Sequence, residues 1–220
     1  MLVKTNEETW WQRCRRVFRQ AINGEEQEFT TGSIDRAIVL LSVPMILEMA
    51  MESLFAVVDA FFVAKISTEA VATVGLTESV LTLIYSIAIG LSAAATAMVS
   101  RRVGEGNRRA AAVTGAQVIV IAVLLSLLIA VPGYLFAEDI LLLMAKDSSI
   151  AETGAGFTRL MLTANLPILL LWMLNGIFRG AGDAATAMRA LWIANGVNIV
   201  LDPLLIFGIG PFPEMGVLGA

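Results

Sequence analysis

Histidine is absent from the 220-residue sequence, and Cys14 is its single cysteine. A disulfide framework within one chain is therefore excluded, and a Cys/His metal site has no ligands. Catalysis by a Ser-His or Cys-His pair falls on the same ground, and no other nucleophile–base pair is visible, so the sequence reads as a non-enzyme. No GxxxxGK run followed by Ser or Thr occurs, so there is no Walker-type ATP site. Uphill movement of a solute would then draw on an ion gradient, with no cofactor. Charged residues make up only 15% of the chain, and the net charge of −4 does not point to nucleic acid as a partner. A cleavable signal peptide is not apparent either. The first apolar run begins near Ile34, after a polar lead containing Glu7, Glu8, Glu25, Glu26 and Glu28. That run is expected to serve as an uncleaved first span.

What the sequence has in excess is apolar residues, at 57%, with a mean hydropathy of +0.78. Soluble domains sit near 45–50% apolar. The excess falls in five segments, at roughly 35–63, 74–99, 111–136, 157–178 and 187–209. Each can cross a hydrocarbon core about 30 Å thick at about 1.5 Å per residue. None alternates with period two, and backbone groups in lipid must pair internally, so the fold class is an all-α integral membrane bundle of about five spans. Pro44 lies within the first segment and is expected to kink it.

Basic residues set the orientation. With the N-terminus in the cytoplasm, Lys4, Arg13, Arg15, Arg16, Arg19, Arg36, Arg101, Arg102, Arg108, Arg109, Arg179 and Arg189 fall inside, and only Lys65, Lys146 and Arg159 fall outside. That bias of twelve to three predicts a multi-pass protein of the cell membrane with its N-terminus inside. Residues 1–33 form a polar leading segment. Within it Trp10, Trp11, Cys14, Val17, Phe18 and Ala21 recur at helical spacing among arginines, as in an amphipathic helix lying on a membrane surface; a solvated tail is the alternative.

Retained acids inside spans are informative, because each costs roughly 2.5–3.5 kcal/mol at a helix centre. Glu48, Glu52 and Asp59 on the first segment fall within about 40° of one another at 100° per residue. Asn195, Asn198 and Asp202 on the fifth share a face within about 60°. Pro203 follows Asp202 and loosens the helix there, which can free carbonyl oxygens for a cation. Both segments run outward, so Asp59 and Asp202 reach matched depth in the outer half of the membrane. Two such carboxylates can hold a proton, or bind a hard cation such as sodium with Asn198 supplying a carbonyl oxygen. The candidate cation site is therefore Asp59, Asn198 and Asp202, with no other metal implied. Glu48, Glu52, Glu78, Tyr85 and Asn195 are candidate cavity-lining residues. Glu78, Tyr85 and Ser92 recur at intervals of seven with Thr77 and Thr82 nearby, which fits a cavity wall or ordinary interhelical hydrogen bonding equally. Asn175 reads more as helix glue or a cap than as a ligand. Gly104-Glu105-Gly106-Asn107 and Gly180-Ala181-Gly182-Asp183 read as tight turns between spans.

Several stretches together resemble the multidrug and toxic compound extrusion (MATE) family. Pro44-Met45-Ile46-Leu47 leading to Val57-Val58-Asp59-Ala60-Phe61-Phe62-Val63 resembles the family's first helix, and Val74-Gly75-Leu76 the start of its second. Arg102-Val103-Gly104-Glu105-Gly106-Asn107 and Asn175-Gly176-Ile177-Phe178-Arg179-Gly180-Ala181-Gly182-Asp183 resemble its cytoplasmic turns. Asn198-Ile199-Val200-Leu201-Asp202-Pro203-Leu204-Leu205-Ile206-Phe207-Gly208 resembles helix five, and Met215-Gly216-Val217-Leu218-Gly219-Ala220 the approach to helix six. Their order and spacing cover the chain from about residue 34 to its end.

The resemblance implies an N-terminal lobe at 34–220, belonging to a two-lobed antiporter that exchanges drug-like, often cationic molecules for protons or sodium. It also implies a cation site at Asp59, Asn198 and Asp202. Five helices would need a missing second lobe or half as partner, besides the lipid bilayer and a small organic substrate. Two alternatives stand beside this reading. One is a non-transporting fragment of a truncated reading frame. The other is a flippase of the related superfamily moving a lipid-linked substrate, although such proteins favour a basic cavity.

Overall fold

The computed structural model describes residues 10–24, 33–145 and 148–219, with the side chains of 10–14 and 148–149 left aside. The expectations resting on Lys4, Glu7, Glu8, Glu25, Glu26, Glu28, Lys146 and Ala220, and on the side chains of Trp10, Trp11, Arg13 and Cys14, lie outside the described residues. The elements are α1 (Trp10–Asn23), α2 (Ile34–Val63), α3 (Thr68–Gly104), α4 (Arg108–Ala145), α5 (Ser148–Thr163), α6 (Leu166–Gly180) and α7 (Ala184–Ile206), followed by a short 3-10 turn at Gly216–Gly219. Among the described residues there is no strand. Among the described residues five spans are long and apolar enough to cross a membrane: α2, α3, α4, the pair α5–α6 at Ile150–Gly180, and α7. Large apolar side chains stand outward along them, including Leu83, Leu128, Leu143 and Ile193, the reverse of what water would select.

The helices overrun the apolar segments, because polar first and last turns also satisfy their backbone. Ser33, Ser67, Asn107 and Asp183 cap the following helices by accepting from backbone N–H groups at Arg36, Ala70, Ala110 and Thr186. The two glycine-rich pieces are the expected tight turns: Gly106 and Gly182 carry φ of 72° and 90°, a region glycine enters without a Cβ penalty. Glu105, in the first of them, accepts from Arg101 and Arg102 at 2.9 and 3.1 Å.

Three expectations about the spans change. The first helix runs unbroken through Pro44, so the missing N–H is absorbed without a non-helical residue. The break falls in the third span, where Phe136 (φ −118°, ψ 16°) interrupts α4 just after Pro132. The fourth span is two helices. Asn165 ends one and starts the next, its side-chain amide donating to the Leu162 carbonyl, with Pro167 in the first turn of α6. The fifth helix stops at Ile206, and 207–209 form a turn in which Gly208 adopts φ 64°.

Two parallel helix pairs organise the bundle. In the first, Trp192 Nε1 donates to the Leu47 carbonyl and the Phe207 ring meets Phe62. Both contacts join residues 145 positions apart, so α2 and α7 run side by side in constant register. In the second, Thr77 and Thr158 hydroxyls share a bond at 2.8 Å, Ser92 Oγ donates to the Trp172 carbonyl, and Thr96 Oγ1 donates to the Gly176 carbonyl. These separations are 81, 80 and 80 residues. Thus α3 lies along the whole of α5–α6, and small residues permit the approach. A Cβ on Gly176 would sit 2.7 Å from the Ser92 carbonyl oxygen, and one on Gly180 2.7 Å from that of Thr96. Helix α4 covers this pair from the side. Ala88, Ala95, Val118, Ala122, Leu169 and Met173 form the core there.

Helix α1 packs on the ends of α2 and α7. Arg189 donates to the Ile22 carbonyl at 2.7 Å, Arg36 donates to Gln20 at 3.1 Å, and Ala21 is buried. Phe18 and Arg19 face outward.

Candidate functional site

The constant register of α2 and α7 brings the two helices' acids to the same levels. Asp59 and Asp202 lie within electrostatic reach of each other, and Asp59 also acts on Glu78 of α3. Asp59 thus interacts electrostatically with one acid on each of two other helices, of which Asp202 is buried and Glu78 exposed. Asp202 is buried, and its Oδ2 has no hydrogen-bond partner among the described residues. A buried carboxylate oxygen without a donor is costly, and a bound proton or cation removes that cost. Asp59 is half-buried. Further along the same two helices the Phe62 and Phe207 rings meet edge to face, and Lys65 lies over the Phe61 ring at 4.1 Å.

Asn198, one turn before Asp202, is exposed and makes no hydrogen bond to either carboxylate among the described residues. Asn195 is half-buried on the same helix. Helical spacing placed both on the Asp202 face. The tilt of α7 against α2 decides which of them meets the acids, and spacing carries no information on tilt. The polar stripe on α3 divides. Ser92 and Thr77 are spent on α6 and α5, as interhelical glue. Glu78 is exposed and interacts with Asp59 only through its charge, and Tyr85 stacks on Trp172 with centroids 6.5 Å apart.

A second polar cluster lies further down α2. Glu48 is buried and accepts from Asn175 Nδ2 at 3.3 Å. Its Oε2 stands 3.8 Å from Arg179 Nη1, an ion pair too long for a hydrogen bond. Glu52, one turn along, is exposed and feels the same guanidinium. Asn175 and Arg179 are four residues apart on α6, and Arg179 Nε donates to the Asn175 carbonyl. Met45, Met49, Trp172 and Leu191 complete a cavity of about 190 Å³ around these groups. The role of Arg179 was not legible from the sequence, where it counted as a basic residue of a turn. The i,i+4 spacing with Asn175, placing both on one helix face, is the signal that points to it.

The MatE family model matches residues 44–204, from the proline of α2 to just past Asp202. The chain belongs to this family. It is 32% identical over 191 residues to the FAD transporter of Shewanella oneidensis, covering 86% of this chain and 42% of that protein. It is 27% identical to the probable multidrug resistance protein NorM of Thermotoga maritima, covering 85% of this chain and 40% of that one. Among solved structures it resembles a MOP superfamily transporter from Pyrococcus furiosus, at 29% identity and TM-score 0.79, covering 86% of this chain and 41% of that one. A MATE solved in complex with MaD5 superposes with TM-score 0.81 at 29% identity, covering 89% of this chain and 43% of that one. The chain thus spans about two-fifths of the length of the MatE relatives it matches, as an N-terminal lobe of that fold would. The expected resemblance and the all-helical membrane architecture both stand. Asp59, Glu78 and Asp202, and the Glu48–Asn175–Arg179 group, all lie within the matched residues.

Proposed function

We propose that this chain is the ion-binding half of a MatE exporter, in which Asp59 and Asp202 take up a proton or a sodium ion and release it in exchange for a small organic molecule. The observation that carries the reading is the buried, unpartnered Asp202 Oδ2 within electrostatic reach of Asp59 on a parallel helix. Ion binding there removes repulsion between two acids held away from water, so occupancy couples to the spacing of α2 and α7. Glu78 is a third acid available to the same ion. Alternating access needs a second lobe to rock against, so the chain works with a further half. The basic-residue bias puts its N-terminus and α1 on the cytoplasmic side. It acts by transport, not by catalysis.

Acids dominate the interior of the spans, with Arg179 the counter-charge at Glu48. That balance favours cationic cargo over an anionic dinucleotide, although one relative bears the name FAD transporter. It also disfavours a lipid-linked anionic substrate. The test is efflux from vesicles by a complete transporter carrying this lobe, with Asp202→Asn, which preserves shape and removes the charge. Ion-driven efflux should fall to background while the protein still reaches the membrane. Normal efflux that still follows the ion gradient would overturn the reading.

A further inference from the structure

We propose that the α3–α4 turn is a seat for an anionic phospholipid, whose phosphate lies among the guanidinium groups of Arg101, Arg102, Arg108 and Arg109. The seat does not depend on ion exchange at Asp59 and Asp202. Helix α3 ends at Gly104 and α4 begins at Arg108, so three residues join them. The Asn107 N–H donates to the Arg102 carbonyl at 2.9 Å, and the Asn107 side-chain oxygen accepts from the Ala110 N–H. The two helix ends are therefore fixed side by side, and the four arginines, all exposed, share one short stretch of surface. Glu105 is the single acid between residues 101 and 109, which leaves that stretch a net charge of +3 (four arginines less one glutamate). Arg101 and Arg102 hold Glu105 at 2.9 and 3.1 Å. No ion pair reaches Arg108 or Arg109 among the described residues. Both stand in the first turn of α4, where the helix's own N-terminal pole disfavours positive charge and no acid offsets it. An anion at the turn relieves that repulsion.

The apolar surface beside the arginines says which anion. Met98 precedes Arg101 and Arg102 by three and four residues, and Val113 follows Arg109 by four, so each shares a helix face with its arginine one turn further in. Met98 and Val113 are 51% and 53% exposed. Both α3 and α4 are long and apolar enough to cross a membrane, so these side chains face the acyl region while the arginines stand at its border. A soluble phosphate would use the guanidinium groups and leave the apolar strip bare. A phospholipid uses both, its phosphate accepting from the N–H groups and its chains lying along Met98 and Val113. A zwitterionic headgroup brings its own ammonium among the arginines and loses the net attraction. A headgroup without an amine keeps it. Arginine suits the role through its planar fork of donors, which bonds phosphate at two points. Each basic residue at a membrane border is worth about fivefold in affinity for an anionic lipid.

The test counts lipid bound to the full 220-residue chain by native mass spectrometry. Micelles are titrated with phosphatidylglycerol, with phosphatidylcholine of the same acyl chains, and with glycerol 3-phosphate in competition with phosphatidylglycerol. Phosphatidylglycerol should bind at least about tenfold more tightly than phosphatidylcholine, from two or more arginines at about fivefold each. Glycerol 3-phosphate at equal concentration should not displace it. The double variant Arg108→Gln/Arg109→Gln should bind phosphatidylglycerol about twenty-five-fold more weakly, and Arg108→Lys/Arg109→Lys should recover part of that loss. Lys65→Gln removes a positive charge in the turn before α3, at the opposite end of that helix, and should change nothing. Equal binding of the two lipids overturns the proposal. So does a folded Arg108→Gln/Arg109→Gln protein that binds phosphatidylglycerol as the parent does. Displacement by glycerol 3-phosphate overturns it in favour of a soluble anion, and a loss of about fivefold in Lys65→Gln overturns it in favour of net charge alone. Should the double variant fail to fold, the comparison of the two lipids and glycerol 3-phosphate on the parent chain decides alone. None of these measurements involves efflux, so the lipid seat and the ion site stand or fall separately.

Discussion

Replacing Gly176 by alanine should separate α3 from α6, and the size of the effect follows from contacts at that position. The added Cβ would sit 2.6 Å from Ser92 Oγ and 2.7 Å from the Ser92 carbonyl oxygen. Ordinary contact begins near 3.4 Å, and the obstructing atom is backbone, so the helices must part by about 0.7 Å. Overpacking of this kind costs about 1–3 kcal/mol. The same movement stretches the Ser92–Trp172 and Thr96–Gly176 hydrogen bonds, both 2.9 Å, worth about 0.6 kcal/mol each in a membrane protein. Alanine returns about 0.5–1 kcal/mol of backbone entropy. The net loss is about 1–4 kcal/mol, read from SDS unfolding followed by circular dichroism. Gly196 is the control, because nothing lies within 4 Å of its Cβ position, and Gly196→Ala should be neutral or slightly stabilising. Asn175 adjoins Gly176, so Gly176→Ala should also loosen the Glu48 cluster. If Gly176→Ala proves as stable as Gly196→Ala, the close parallel packing of α3 on α6 is wrong.

Other outcomes follow from the same contacts. Glu48→Gln and Arg179→Gln should each destabilise the chain, while the double variant loses less than their sum by about 0.5–3 kcal/mol; a double-mutant cycle of unfolding free energies measures this, and additivity would deny the pair. Thr77→Val removes the bond to Thr158 and should cost about 0.6–1.7 kcal/mol in the same unfolding assay. Thr158 retains the Gly154 carbonyl as acceptor, which keeps the loss at the low end. Hydrogen bonds from Arg101 and Arg102 hold the Glu105 carboxyl below its usual range. Because its folded-state affinity for protons is lowered, its small stabilising contribution should be present at neutral pH and fade as the pH falls through the acid range. The difference in melting temperature between the parent and Glu105→Gln, followed from neutral to acid pH, should shrink accordingly.

Much of the architecture was legible before any coordinates. Each span announces itself through its own apolar length, since the bilayer acts on every segment separately and demands that its backbone pair internally. The glycine-rich turns were legible for a similar local reason: a positive φ at Gly106 or Gly182 is a property of one residue. The depth match of Asp59 and Asp202 could also be read, because rise per residue converts position into height. Less local features escaped. The break at Asn165 and the kink at Phe136 lie beside Pro167 and Pro132, but a proline alone does not say where a helix breaks, since α2 runs through Pro44 unbroken.

Sequence alone thus determined the number of spans, their turns, and the direction each acid takes around its own helix axis. Only the tertiary structure decided which helix each acid would meet. It brought Glu78 within electrostatic reach of Asp59, left Asn198 exposed, and brought Arg179 from a presumed turn to within 3.8 Å of Glu48. The physical reason is that periodicity specifies an angle about one axis. A neighbour's identity depends on the register and tilt between two axes, which here come from Gly176, Gly180 and the Trp192–Leu47 bond acting across the bundle.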